Sequence, residues 1–200
     1  MTGSGRRTSV KRLLPWLAVV AALLVTAACD RASQPPGNTM SGNPYEQFRE
    51  LMGRPDIEQV ARHYDEMRAA IRVRLVSELG LPPLTEDTGS GGSSGCRDFP
   101  AIQGGDDETR TLPRWSFEAN LPDEKWPHAV QIVGEIARSY GFETPPRGII
   151  DQPGDHEITA TDTYGADLVL GTKATTILTV RTGCHLTVEA HKRGKPAGGP

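Results

Sequence analysis

The 200-residue chain has few local catalytic signatures. It has no His-Glu-x-x-His pair and no Ser-x-x-Lys motif, and the Gly-Ser run around Ser93, although Gly91-Gly92-Ser93-Ser94-Gly95 spells Gly-x-Ser-x-Gly, has the composition of a flexible loop and no strand pattern before it, unlike a nucleophile elbow. Cysteine is scarce: there are three, with no Cys-x-x-Cys spacing, which removes the usual zinc-binding frameworks. Positive charge is also in short supply. The whole chain has 22 basic and 25 acidic residues, and residues 1–28 hold four of the basic ones and none of the acidic. That leaves 18 against 25, a net charge of −7 with neutral histidine. Such a balance gives no electrostatic attraction for nucleic acid. Lys192, Arg193 and Lys195 form a small basic exception near the end.

What the chain does have is a sharply organised beginning. Arg6, Arg7, Lys11 and Arg12 precede an apolar run at residues 13–28, which ends Thr26-Ala27-Ala28-Cys29. A helix of these 16 residues is roughly 24 Å long, short of the roughly 30 Å hydrocarbon core of a bilayer. Basic residues, a short apolar run and small residues before a cysteine are the layout of a lipoprotein signal. The expectation is cleavage between Ala28 and Cys29, with acylation of Cys29. The Arg6-Arg7 pair also resembles a twin-arginine export motif, from which Ser9 departs, and the general export route is preferred.

An odd cysteine count in an exported chain needs a role for the leftover thiol. Acylated Cys29 supplies it, leaving Cys96 and Cys184 for a disulfide in an oxidising compartment. The alternative, a metal site from Cys96, Cys184 and His185, lacks paired ligand spacing. No metal and no cofactor is expected. Residues 29–43 contain prolines and glycines and almost nothing apolar, and read as a flexible tether.

Asn43-Pro44-Tyr45-Glu46 has the order of a helix start, with a capping residue, a proline at the first position and an acid three residues after the cap. A short helix to Met52 follows, then a break at Gly53 and Pro55, then a long helix over residues 56–79. Its stripe of Ile57, Val60, Tyr64, Met67, Ile71, Leu75 and Leu79 recurs every three or four residues. Gly80 and Pro82-Pro83 close it. Residues 85–95 read as a flexible Gly/Ser loop, and Asp106-Asp107-Glu108 as a solvated one. Trp115, Phe117 and Ala119 alternate with polar residues as in a strand. A helix over residues 127–140 stops at Gly141, and strands follow near 157–161, 166–170, 175–181 and 185–190. The sum is α+β: a small antiparallel sheet of about four to five strands, with the long N-terminal helix and a second helix packed on it, and one disulfide. The organisation reads as a signal at 1–28, a tether at 29–43, a single domain at 44–190 and a disordered tail at 191–200.

A lipobox cysteine, a long amphipathic helix, a helix ending Ala137-Arg138-Ser139-Tyr140-Gly141 and a terminal strand ending Thr182-Gly183-Cys184 together resemble the LppA-like lipoproteins of actinobacteria. That resemblance implies an anchored exported protein and a fold type, and transfers no catalytic residue.

The expected protein is therefore held on the extracytoplasmic face of the cell membrane through Cys29. It is non-catalytic, and binds an envelope protein or an apolar ligand. Trp115, Phe117 and Trp126 are the candidate ligand-facing aromatics, weighed against an ordinary core role. Of the five histidines, His63 reads as solvated, and His128 sits in the first turn of its helix, where a neutral ring is tolerated. Asp155-His156-Glu157 could pair a base with its orienting acid only if the strand twisted, because neighbouring strand residues face opposite ways. An envelope hydrolase or transferase built from distant residues is one alternative. An assembly component of an exported complex is the other.

Overall fold

The structure, a computed structural model, describes residues 41–198. The signal, Cys29 and all but the end of the tether lie outside the described residues. Among the described residues no helix is long and apolar enough to cross a membrane.

The two N-terminal helices form where local chemistry places them. Helix α1 (Pro44–Met52) starts at Asn43, whose side chain accepts from the Tyr45 and Glu46 amides while Glu46 accepts from the Asn43 amide. Helix α2 (Ile57–Leu79) repeats the device with Asp56 and Gln59, and ends at Gly80 in the left-handed conformation. Its seven-residue apolar stripe is buried throughout, with Met67 and Ile71 fully inaccessible.

Among the described residues nine strands pair antiparallel, six of them in the order β1-β4-β8-β7-β6-β5, with β3 joined to β2, β8 and β9. They are β1 (Thr85–Asp87), β2 (Gly92–Ser94), β3 (Asp107–Thr111), β4 (Arg114–Phe117), β5 (Arg147–Gln152), β6 (Asp155–Thr161), β7 (Asp167–Thr172), β8 (Thr176–Arg181) and β9 (His185–Leu186). Strands β6, β7 and β8 form the centre. Ile158 and Ala160, Leu168 and Leu170, and Leu178 and Val180 alternate inward to one core with α2 and with α3 (Trp126–Ser139). A second, smaller core gathers Phe48, Leu51, Phe99, Ile102, Cys184 and Leu186 around the disulfide.

The α+β class holds, but the sheet exceeds the four to five strands expected. The additional strands have no dry face to betray them. All of β1 and β2 is exposed, drawn from the Gly/Ser stretch read as a loop. Strand β3 begins within the acidic triplet, and β5 is an edge strand exposed at most positions. The last expected strand is also shorter. It ends at Leu186, because Thr187 caps a new helix, α4 (Val188–Arg193), by accepting from the Ala190 amide. Residues 191–193, read as the start of a tail, belong to α4. Arg193 pairs with the buried Asp106 at 2.6 Å, and the Ala197 amide donates to the same carboxylate.

Candidate ligand-binding clefts

Cys96 and Cys184 are joined by a disulfide. With the sulfurs bonded to each other, the one convergent group of metal-type side chains among the described residues, Cys96, Asp107 and Cys184, offers only a carboxylate. Asp107 instead accepts from the Cys96 amide, and burial raises its carboxyl above the ordinary range.

The run Thr182-Gly183-Cys184 beside the disulfide is tightly built. Thr182 exchanges hydrogen bonds with the Arg110 backbone, its amide donating to the carbonyl and its hydroxyl accepting from the amide. The Thr109 hydroxyl donates to the Thr182 carbonyl at 2.8 Å. At Gly183 the Tyr164 backbone passes so close that a Cβ would sit 1.9 Å from its carbonyl oxygen. Arg54 ties the same region together from below. One of its nitrogens reaches the carbonyls of Tyr164 and Cys184, and its guanidinium lies over the Phe99 and Tyr164 rings. His185, wholly buried, donates from Nδ1 to the Pro55 carbonyl at 2.9 Å. Burial lowers its pKa, and the nearby Arg54 charge pushes the same way.

Above this frame opens a cleft of about 570 Å³, lined among others by Cys96, Arg97, Thr109, Tyr164, Arg181 and Thr182. Arg97 and Arg181 are both exposed, and neither forms an ion pair with a carboxylate among the described residues. Arg181 stands opposite Asp167 in the β7–β8 register, and its charge opposes the upward push that burial gives that carboxyl. Asp98 lines the same cleft, so its lining carries two arginines against one carboxylate, a small local excess of positive charge.

A second cleft, of about 520 Å³, shares Tyr164 as a wall and is lined further by Gln59, His63, Tyr64, Tyr140 and Asp162. The Tyr64 hydroxyl donates to Asp162, which also accepts the Tyr164 and Ala166 amides at 2.9 and 2.8 Å. Burial, then this carboxylate, raises the Tyr64 pKa. His63 and Tyr140 meet with ring centroids 4.7 Å apart and planes tilted by 46°.

The residues singled out from sequence are not brought together in this way. Phe117 and Trp126 are core side chains, 6% and 7% exposed. Trp115 packs against the same core beneath the Arg72 guanidinium, 4.0 Å from the ring centre. The three do not form a ligand face. His156 turns inward, stacked on Trp126, with Nδ1 2.9 Å from Asp151 and Nε2 3.1 Å from Asp123. Its carboxylate partners are therefore not the adjacent Glu157. Both ring nitrogens are engaged, which leaves none to take a proton from a nucleophile. The cleft aromatics were missed because they come from separate elements. The one local signal was that Tyr140 and Tyr164 each precede a glycine with positive φ, Gly141 and Gly165.

A family model, LppA, described as a lipoprotein confined to pathogenic Mycobacterium, matches residues 32–188. Among solved structures, LppA from Mycobacterium tuberculosis is similar with a TM-score of 0.57 at 17% identity, over 78% of this chain and 91% of that one. A DUF4853 family protein from Actinomyces odontolyticus has a TM-score of 0.48 at 17% identity, over 81% and 76%. No curated protein matches the chain.

Proposed function

Because this chain belongs to the LppA family of lipoproteins, we propose that it is anchored through acylated Cys29 to the extracytoplasmic face of the cell membrane and acts there as a non-catalytic binding protein. Its ligand is an envelope molecule bearing an acidic group, a phosphate or carboxylate, held in the cleft beside the disulfide. The observation that carries this reading is the placement of Arg97 and Arg181, without salt-bridge partners, at one cleft of about 570 Å³. The polar lining favours such a ligand over the apolar one expected from the sequence.

The frame supports binding rather than chemistry. The disulfide, the Thr182 bonds and Arg54 fix the cleft wall in advance, which lowers the ordering cost of association. No activated nucleophile stands beside a free base in the contacts described for the cleft. Calorimetric titration of the mature protein with glycerol phosphate and with glucuronate tests the reading. Saturable binding is expected with at least one of them. Paired Arg97→Gln and Arg181→Gln substitutions should weaken it by roughly 3 kcal/mol, the loss of two charged hydrogen bonds. Absence of heat with both ligands, or equal affinity in the double variant, would remove the anion site.

A further inference from the structure

The cleft between α2, the end of α3 and the turn at residues 162–165 has a different chemistry from its neighbour, and we infer that it binds the pyranose ring of an uncharged saccharide. No lysine or arginine lines it. Its one carboxylate, Asp162, has its oxygens engaged by the Tyr64 hydroxyl and two backbone amides, so it serves the turn rather than the rim. What remains is aromatic surface and neutral hydrogen-bonding groups.

The aromatic surface is placed to hold a ring. His63, exposed on α2, and Tyr140, half-buried at the end of α3, pack against each other with planes tilted by 46°, and Tyr164, whose ring also lies under the Arg54 guanidinium, supplies a further wall. The π-face of an aromatic ring carries partial negative charge, and the C–H groups on one face of a pyranose carry the complementary polarity. The hydroxyls then point outward to the rim. There the Gln59 amide nitrogen and the hydroxyls of Tyr140, Thr163 and Tyr164 have no hydrogen-bond partner among the described residues. A volume of about 520 Å³ falls within the range of small-molecule sites, roughly 300–1,000 Å³. The inference stands without the anion site, because the arginines contribute nothing to this lining.

The test is an NMR titration of the full mature chain with maltose, cellobiose and mannobiose, following the His63 ring protons. Saturable shifts are expected with at least one disaccharide. Tyr140→Ala and His63→Ala, the latter read through the Thr163 and Tyr164 amides, should each weaken affinity by about tenfold, or ~1.4 kcal/mol. The Arg97→Gln/Arg181→Gln variant should bind the sugar unchanged, which separates failure of this site from failure of the anion site. His63→Ala replaces an exposed side chain and keeps the test valid if Tyr140→Ala disturbs packing. No saturable shift up to about 50 mM of any disaccharide, or affinity indifferent to both substitutions, overturns the inference.

Discussion

Cys96 and Cys184 close a loop with a sequence separation of 88 residues, spanning β3, β4, α3 and the central strands. In the chain-entropy account the crosslink acts on the unfolded chain, and a loop of this length corresponds to roughly 4.6 kcal/mol at 25 °C. Alanine is the replacement of choice, since serine would bury a hydroxyl at Cys184, which is 6% exposed. Unfolding entropy near 2.1 cal/mol/K per residue over about 150 folded residues gives roughly 0.3 kcal/mol/K, so the double variant should melt roughly 15 °C lower. Differential scanning calorimetry of the parent and of Cys96→Ala/Cys184→Ala reads this directly. A drop under about 5 °C would refute the reasoning. It would mean that the unfolded chain is already restricted, or that native contacts strain to accommodate the bond.

Gly183→Ala should lower stability by about 1–3 kcal/mol or more, because the new methyl collides with the Tyr164 carbonyl rather than with a yielding side chain; an unchanged melting temperature would show that the Tyr164 turn yields. Burial of His185 lowers its pKa from the ordinary 6.5, so as pH falls through 6.5 the unfolded chain takes up the proton first. Stability is fully present above that value and declines below it. His185→Phe should flatten the melting profile between about pH 7.5 and about pH 5 relative to the parent, and identical profiles would contradict this. The Asp123 carboxyl is held below its ordinary 3.8 by the Gly154 amide and then by His156. Its contribution is present above 3.8 and lost as pH falls through the lowered value. The parent should therefore lose stability more steeply than Asp123→Asn below about pH 4, and parallel curves would show that the contact is not formed in solution.

The parts of this fold that were legible in the sequence are those decided within a few residues of chain. Asn43 announces α1 because the cap and its partner lie three positions apart, and Gly80 stops α2 through its own backbone conformation, whereas Asp56, which caps α2 together with Gln59, was read as the first residue of that helix. The central strands were readable from alternation, since each buries one face. The Cys96–Cys184 bond followed from cysteine arithmetic alone. Strands β1 and β2 lie outside that logic: they are wholly exposed, and only pairing with β4 and β3 makes them strands. The chain after Leu186 was misread because a half-buried Val188 and a buried Ala190 look like strand alternation until the Thr187 cap is weighed. The clefts were least visible. Arg97 and Arg181 are 84 positions apart, and Tyr140 and Tyr164 are brought to one cavity by the sheet rather than by spacing.

Mass spectrometry of the protein extracted from its own membranes, native and then denatured without reduction, tests the central claim of an anchored binding protein most directly. The denatured mass should equal residues 29–200 plus acyl groups minus two hydrogens, with a larger native mass from a bound acidic or saccharide ligand. A denatured mass without acyl groups, or one that retains residues 1–28, would contradict the anchor and the membrane-surface role built on it.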